Sequence, residues 1–273
     1  GVLGTEAQVL DGILSGGDTV DISRISAFAL TSYGCNKAKL LSIPYTFVSR
    51  EHFWNFVNSD MSADFLAEPQ QIGLPLRGFA YGEEGFRHFF LKDEVQSIED
   101  LKGLKIRVSE DPVMTGMVRN LGASPTVVNF TELYSALQTG VVDGHENPTN
   151  VIYPTKLYEV QKYMTLSDHS YHGYAVVTNP KFWAGLPPNI RTALESAMAE
   201  TTEYFHAATV KENQDGLDAI RKSGKTQILA LTPEERKGWK KAMAKTHEEM
   251  ADRIGRPFLQ SVHKETNFDP TKL

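Results

Sequence analysis

Asp100-Leu101-Lys102-Gly103-Leu104-Lys105-Ile106-Arg107-Val108, then Asn129-Phe130-Thr131-Glu132-Leu133-Tyr134-Ser135-Ala136-Leu137-Gln138-Thr139-Gly140, then Val142-Asp143-Gly144-His145-Glu146-Asn147-Pro148, is the stretch that decides the fold. It reads as strand, crossover, capped helix, strand and polar loop. Strands at about 104–108, 125–128 and 141–143 alternate with helices, which implies parallel pairing through right-handed crossovers and hence an α/β sheet. Asn129 is placed to cap a helix starting at Phe130, with Glu132 as its reciprocal capping-box partner, and Thr139-Gly140 stops that helix. The pattern carries Arg107 and Asn147 to strand ends that face one cleft. In open α/β sheets ligands bind outside those ends.

Working outward, residues 6–14 suit a short helix ended by Ser15-Gly16-Gly17, and a strand follows over 19–23. Ser42-Ile43-Pro44-Tyr45 reads as an apolar turn, and an aromatic-rich helix runs from about Ser49 to Asn58. A strand over 74–81 is broken by Gly82-Glu83-Glu84-Gly85. A second β-rich run spans Tyr171 to Thr178, and Pro187-Pro188 opens the next element. From about Asn189 to Ser223 strong helix formers dominate and Gly216 is the one glycine. At ~1.5 Å per residue such a helix is roughly 50 Å long, too long for one small lobe, so it is expected to run across two. A strand over 226–231 and a charged helix over 233–250 complete the pattern. With no repeat and no Gly/Ser linker, the lobes must be joined by ordinary strands.

A chain of 273 residues with 41% hydrophobic composition can bury a sizeable core. Its 28 basic and 34 acidic residues give a net charge of −6, which argues against nucleic acid or an anionic membrane as partner. A cleft can still bind an anion, because the local field there outweighs the overall sum. No apolar run approaches the ~18 residues of a spanning helix. Gly1 to Glu6 carries neither a basic nor an apolar leader segment, so no signal peptide is expected within this chain. The single cysteine, Cys35, excludes an intramolecular disulfide and is expected to be a small buried thiol.

Arg107 sits among apolar strand neighbours. Its guanidinium fork can grip a carboxylate through two parallel bonds, or it can pair with a nearby Glu as a structural ion pair. The Asn147 amide can donate to a carboxylate oxygen and accept from a hydroxyl, or Asn147-Pro148 can simply form a turn. Arg87 either contacts ligand or pairs with Glu146, since an unpartnered arginine in a dry cleft is costly. Phe130 suits either a cleft wall or core packing. Asp168, His169 and His172 precede or begin the 171–178 run, where a surface or core histidine is the ordinary alternative.

The motifs of enzymes are missing: no Gly-x-Ser-x-Gly elbow, no phosphate-cradling glycine loop and no His-Glu-x-x-His. His145-Glu146 and Asp168-His169 lack the spacing for one metal ion. Asn129-Phe130-Thr131 matches a glycosylation sequon by pattern only. No cofactor or metal is expected, and no catalytic residue is assigned.

From near Gly4 to about residue 250, these motifs resemble the DctP-type solute-binding proteins, the extracytoplasmic receptors of tripartite ATP-independent periplasmic (TRAP) transporters. The resemblance implies a two-lobed α/β periplasmic-binding-protein-like fold with a hinge and a long helix spanning both lobes. Residues 1–84 plus 173–212 would form one lobe, and 85–172 plus 213–273 the other. It implies that Arg107 clamps a ligand carboxylate, with Asn147 and Arg87 beside it, Glu146 partnering Arg87, and Phe130 closing over the ligand. His172, Asp168, Tyr45 and Ser26 would read the rest of the ligand. In the family a first strand and helix precede the segment resembling Gly1 to Gly4, so a truncated chain is expected here. The implied function is capture of a small organic acid (a C4-dicarboxylate, uronate or other sugar acid) in the periplasm for delivery to TRAP membrane subunits. A sensory ligand-binding protein, or an enzyme on the same scaffold, is the alternative.

Overall fold

The computed structural model describes residues 2–16 and 19–265. Its elements are α1 (Glu6–Ser15), β1 (Ile22–Ser26), α2 (Lys39–Ser42), α3 (Arg50–Val57), α4 (Asp60–Gln71), β2 (Arg77–Leu91), β3 (Lys105–Val108), α5 (Pro112–Asn120), β4 (Ser124–Val127) and α6 (Leu133–Gln138). They continue with β5 (Gly144–Asn147), α7 (Thr149–Ile152), β6 (Tyr163–Thr178), α8 (Pro180–Gly185), α9 (Pro188–Ser223), β7 (Gln227–Ala230), α10 (Pro233–Ile254) and α11 (Arg256–Glu265). Local chemistry sets many of the boundaries. Thr5 and Gln8 close a capping box on α1, and Thr232 with Glu235 does the same on α10. Asp111 accepts from Met114 N–H at the start of α5, where Pro112 gives up no needed donor.

The seven strands form one mixed sheet in the order β1-β6-β2-β5-β3-β4, with β7 also on β6. The pairs β3–β4 and β3–β5 are parallel, as the alternation of strands and helices predicts. The two long strands β2 and β6 run antiparallel from Arg77↔Thr178 to Leu91↔Tyr163 and organise everything else. β1 pairs with the second half of β6, and β7 pairs with its first half. The halves of the molecule are therefore two ends of one ribbon, each bearing its own helices.

The cores follow from strand alternation. Phe89 is buried with Ile106, Val108, Met117 and Trp239, whereas its neighbour Phe90 is buried with Leu137, Ile152 and Ile220 on the opposite face. At the other end Leu10, Ile13, Ile25, Ala175 and Val177 pack around Cys35, which is buried as expected. A fourth cluster joins Phe53, Phe56 and Tyr81 to Met250, Ile254 and Leu259, so the C-terminal helices reach back onto α3. The long helix α9 spans the molecule. Trp54 of α3 stacks on its His206 at 4.2 Å, while Ile220 lies in the core beneath Phe90. Among the described residues no helix is long and apolar enough to cross a membrane.

Several sequence expectations require correction. The strand expected over 74–81 does not break at Gly82–Gly85; β2 passes straight through to Leu91. The reason is a bulge between Glu83 and Gly85, where Gly85 adopts φ +106°, a conformation open to glycine, so the ladder bends instead of ending. For the same reason β6 begins at Tyr163, well before the expected Tyr171. The strand expected over 19–23 lies at 22–26, and Gly17 falls outside the described residues. The strand expected over 141–143 lies at 144–147, so Asn147 closes a strand and does not belong to a polar loop. Asn129 makes no side-chain cap; a single 3-10 turn over 130–132 precedes α6.

Gly216 offers a direct test of how α9 is seated. A Cβ added there would sit 2.7 Å from the backbone oxygen of Thr149 in α7, which cannot swing aside. Gly216→Ala gains ~1 kcal/mol of helix propensity but incurs overpacking of about 1–3 kcal/mol. A lower melting temperature is the expected result of a thermal scan; an unchanged or raised one would show that α7 yields freely.

Candidate functional site

A cavity of ≈ 370 Å³ opens between the two ends of the ribbon. One wall comes from α1 and β1, the other from the ends of β3 and β4 and the turn at 129–131, and the floor from β2, β5 and β6. Sequence dictates this arrangement through strand ends: Arg107 is the third residue of β3, Asn147 the last of β5 and Ser26 the last of β1. Short strands that stop together leave their polar termini around one space.

Arg87 is fully buried and wholly committed to protein partners. Its Nε and Nη2 grip the two Glu146 carboxylate oxygens, the latter at 2.7 Å, and Nη2 also donates to the Glu146 carbonyl. Burial pushes the Glu146 carboxyl up, but the Arg87 ion pair and its hydrogen bonds, with help from His169, outweigh this and hold it at about 2. Glu146 is thus ionised, and the pair is neutral as a unit. Arg87 Nη1 donates to His172 Nδ1 at 2.8 Å. That acceptor role fixes the histidine tautomer with its proton on Nε2, which donates to Ser26 Oγ at 2.9 Å. Burial and then the adjacent Arg87 charge depress the His172 pKa well below the ordinary histidine value, so the ring is neutral.

Asn147 is oriented in the same way. Its Oδ1 accepts from Arg87 at 3.3 Å and its amide nitrogen donates to His145 Nδ1 at 3.0 Å, leaving one N–H for the cavity it lines. Burial, then the Arg107 charge, lowers the His145 pKa to about 3, so its Nδ1 is a standing acceptor.

Arg107 differs from Arg87 in one decisive respect. It is 3% exposed, its Nε donates to the Val128 carbonyl at 2.8 Å, and among the described residues no carboxylate lies within ion-pair distance. Burial and then repulsion from Arg87 lower its pKa to about 10, still far above neutrality. The cation is held in place and buried, attracted by Glu146 and Glu6 but in contact with neither, and its terminal nitrogens have no hydrogen-bond partner among the described residues. Phe130 stands over it, ring centroid 5.9 Å from the guanidinium carbon, and is 44% exposed, so it walls the cavity and does not fill a core.

Of the residues singled out from sequence, Arg107, Asn147, Arg87, Phe130, His172 and Ser26 are brought together on the cavity. Glu146 lies directly behind it. Tyr45 and Asp168 are not brought there. Between Arg87↔Ser170 and Phe89↔Thr165 the ladder slips, so residues 166–169 bulge opposite His88 and Asp168 takes φ +47°. Its carboxylate turns to Arg236 at 3.1 Å, and Tyr45 donates to the Ser167 carbonyl beneath the same bulge. His169 is buried between Ser167 and Glu146. Sequence reading missed Glu6 and Tyr174, which line the cavity, and Asn129, which lies on the same lining and makes no cap. An acid in the first turn of a helix reads as a partner of the helix dipole, which conceals Glu6.

The family model for bacterial extracellular solute-binding proteins, family 7 (DctP) matches residues 1–253. The chain belongs to the DctP family. A C4-dicarboxylate-binding periplasmic protein of Rhodobacter capsulatus is 37% identical over 233 residues, 85% of this chain and 69% of that protein. Among solved structures, a TRAP periplasmic solute-binding protein from Shewanella oneidensis with bound succinate superposes with a TM-score of 0.92 at 25% identity, covering 97% of this chain and 85% of that one. A sugar acid binding protein from Advenella mimigardefordensis in complex with galactonate gives 0.92 at 26% identity, covering 98% and 84%. The DctP chain described here spans about two thirds of the length of its curated relatives. Its two-lobed α/β architecture is that of the family's solved structures.

Proposed function

We propose that this protein is a periplasmic receptor that captures a small organic acid in the cavity and delivers it unchanged to the membrane subunits of a TRAP transporter. The observation that carries this reading is the Arg107 guanidinium, buried without a carboxylate partner beside the one free N–H of Asn147. A carboxylate entering there loses its hydration and gains donors that are already aimed. Each charge-assisted bond is worth roughly 1.5–3 kcal/mol, so two or three supply a large part of the ~8 kcal/mol of a micromolar complex, and contacts to the rest of the ligand supply the remainder. The walls belong to opposite ends of the β2–β6 ribbon, so a ligand touching both favours closure at the Gly85 bulge. The membership of the family and the acids held by its solved members support the same reading.

Isothermal titration against a panel of carboxylates and their methyl esters tests it. At least one acid is expected to bind with micromolar or tighter affinity, its ester much more weakly, and to be recovered unaltered. Equal binding of acid and ester, or recovery of a converted product, would overturn the proposal.

A further inference from the structure

Resting on that reading, the far wall of the cavity allows the acid to be narrowed. Its charges can be counted by partner. Arg87 is neutralised by Glu146. Arg24, lying 3.7 Å over the Tyr174 ring, is neutralised by Glu84. That leaves one surplus cation, Arg107, against two lining acids without an ion-pair partner among the described residues, Glu6 and Glu110. Glu110 and Glu6 both carry exposed surface, but Glu6 is tied to the cavity wall by the Ser26 backbone N–H. Burial raises the Glu6 carboxyl, while the Ser26 N–H and then the Arg107 and Arg24 charges pull it back down. A second carboxylate brought into this space would meet Glu6 with no free cation to offset it.

The hydrogen-bond roles point the same way. Ser26 Oγ already accepts from His172 Nε2 at 2.9 Å and from Phe28 N–H at 3.3 Å, so both lone pairs are used and its own proton is left to donate. Glu6 accepts the Ser26 backbone N–H through Oε1, which leaves Oε2 as an acceptor. A donor and an acceptor side by side complement a hydroxyl, which is both. A carboxylate, which only accepts, cannot satisfy Glu6.

We infer that the cavity takes a hydroxylated monocarboxylate, of the aldonate or uronate class, in preference to an unsubstituted C4-dicarboxylate, with Glu6 and Ser26 reading the hydroxyl. Arg107 holds the single carboxylate; Glu6 rejects a second one. The same geometry makes the Arg87–His172 bond a positioning device, since it is what turns Ser26 into a donor.

The test is calorimetric titration of the intact chain, and of its Glu6→Gln and Ser26→Ala variants, with succinate and with galactonate, glucuronate and erythronate. In Glu6→Gln the amide oxygen can still accept the Ser26 N–H, so the fold is expected to persist, checked by circular dichroism. The wild type should bind one of the hydroxylated acids at least ~10-fold more tightly than succinate. Glu6→Gln should shrink that ratio ~10-fold by strengthening succinate, and Ser26→Ala should weaken the hydroxylated acid without improving succinate. A wild type that prefers succinate overturns this inference, and a ratio that Glu6→Gln leaves unmoved overturns the assignment of Glu6; in both cases carboxylates still bind and the receptor reading stands. Failure of every carboxylate to bind overturns the receptor reading and this inference together.

Discussion

Arg107→Lys is expected to weaken every carboxylate ligand by at least ~10-fold while leaving the melting temperature in place. The substitution keeps a positive charge in the cavity, so any loss reports geometry rather than sign. Arg107 is aimed by its Nε bond to the Val128 carbonyl, with the guanidinium carbon over the Phe130 ring on the cavity that Asn147 also lines. Lysine carries its three donors on a single nitrogen, so it cannot keep that tether and also present two parallel N–H groups to a carboxylate. Stability should hold because, among the described residues, no carboxylate is in ion-pair contact with Arg107. Calorimetry and a thermal scan on the same preparation separate the two effects. Wild-type affinity in the variant would remove Arg107 from the ligand's contacts.

Glu146→Ala is expected to have the largest effect on the fold. It strips the carboxylate from Arg87, which is 1% exposed. Breaking a buried pair in this way costs about 3–5 kcal/mol. For a chain of this size that corresponds to a drop in Tm on the order of 10 °C. Replacing both members by apolar residues, as Arg87→Met with Glu146→Leu, should recover most of the loss, because the penalty lies in the orphaned charge. Binding should not recover, since His172 and Asn147 lose the donor that orients them. A single variant as stable as the wild type would show that the pair is not the structural element it is taken to be. The pair also sets an acid limit. The Glu146 carboxyl is held at about 2 in the folded chain, below its unfolded value, so it stabilises above the ordinary carboxylate range and that stability is lost as pH falls toward 2.

The parts of this protein legible in sequence are those governed by local chemistry. The β3–α6 crossover, the capped α10 and the long α9 follow from apolar spacing, capping residues and helix propensity, and each is readable within a few positions. Arg107 and Asn147 are legible because strand ends in an α/β sheet are predictable places for polar groups. What escapes depends on pairing across distance. Nothing in Gly82-Glu83-Glu84-Gly85 says that a partner strand will bridge it, so a bend looks like a stop. The bulge at 166–169 that removes Asp168 from the cavity is likewise a property of two strands, not of one. Glu6 is hidden for the opposite reason: its local explanation, an acid at a helix start, is sufficient by itself.

The ribbon of β2 and β6 has a consequence for how the chain is made. Ser26 meets His172 across a sequence separation of 146, and β1 has no sheet partner until β6 has been synthesised. Neither end of the molecule can complete its core from a contiguous segment. The nascent chain must stay open through most of its length, and its folding rate is set by closing very large loops rather than by forming helices. Such a topology favours a chain that remains unfolded for a long interval after translation begins, the state in which a polypeptide can still be threaded through a narrow export channel.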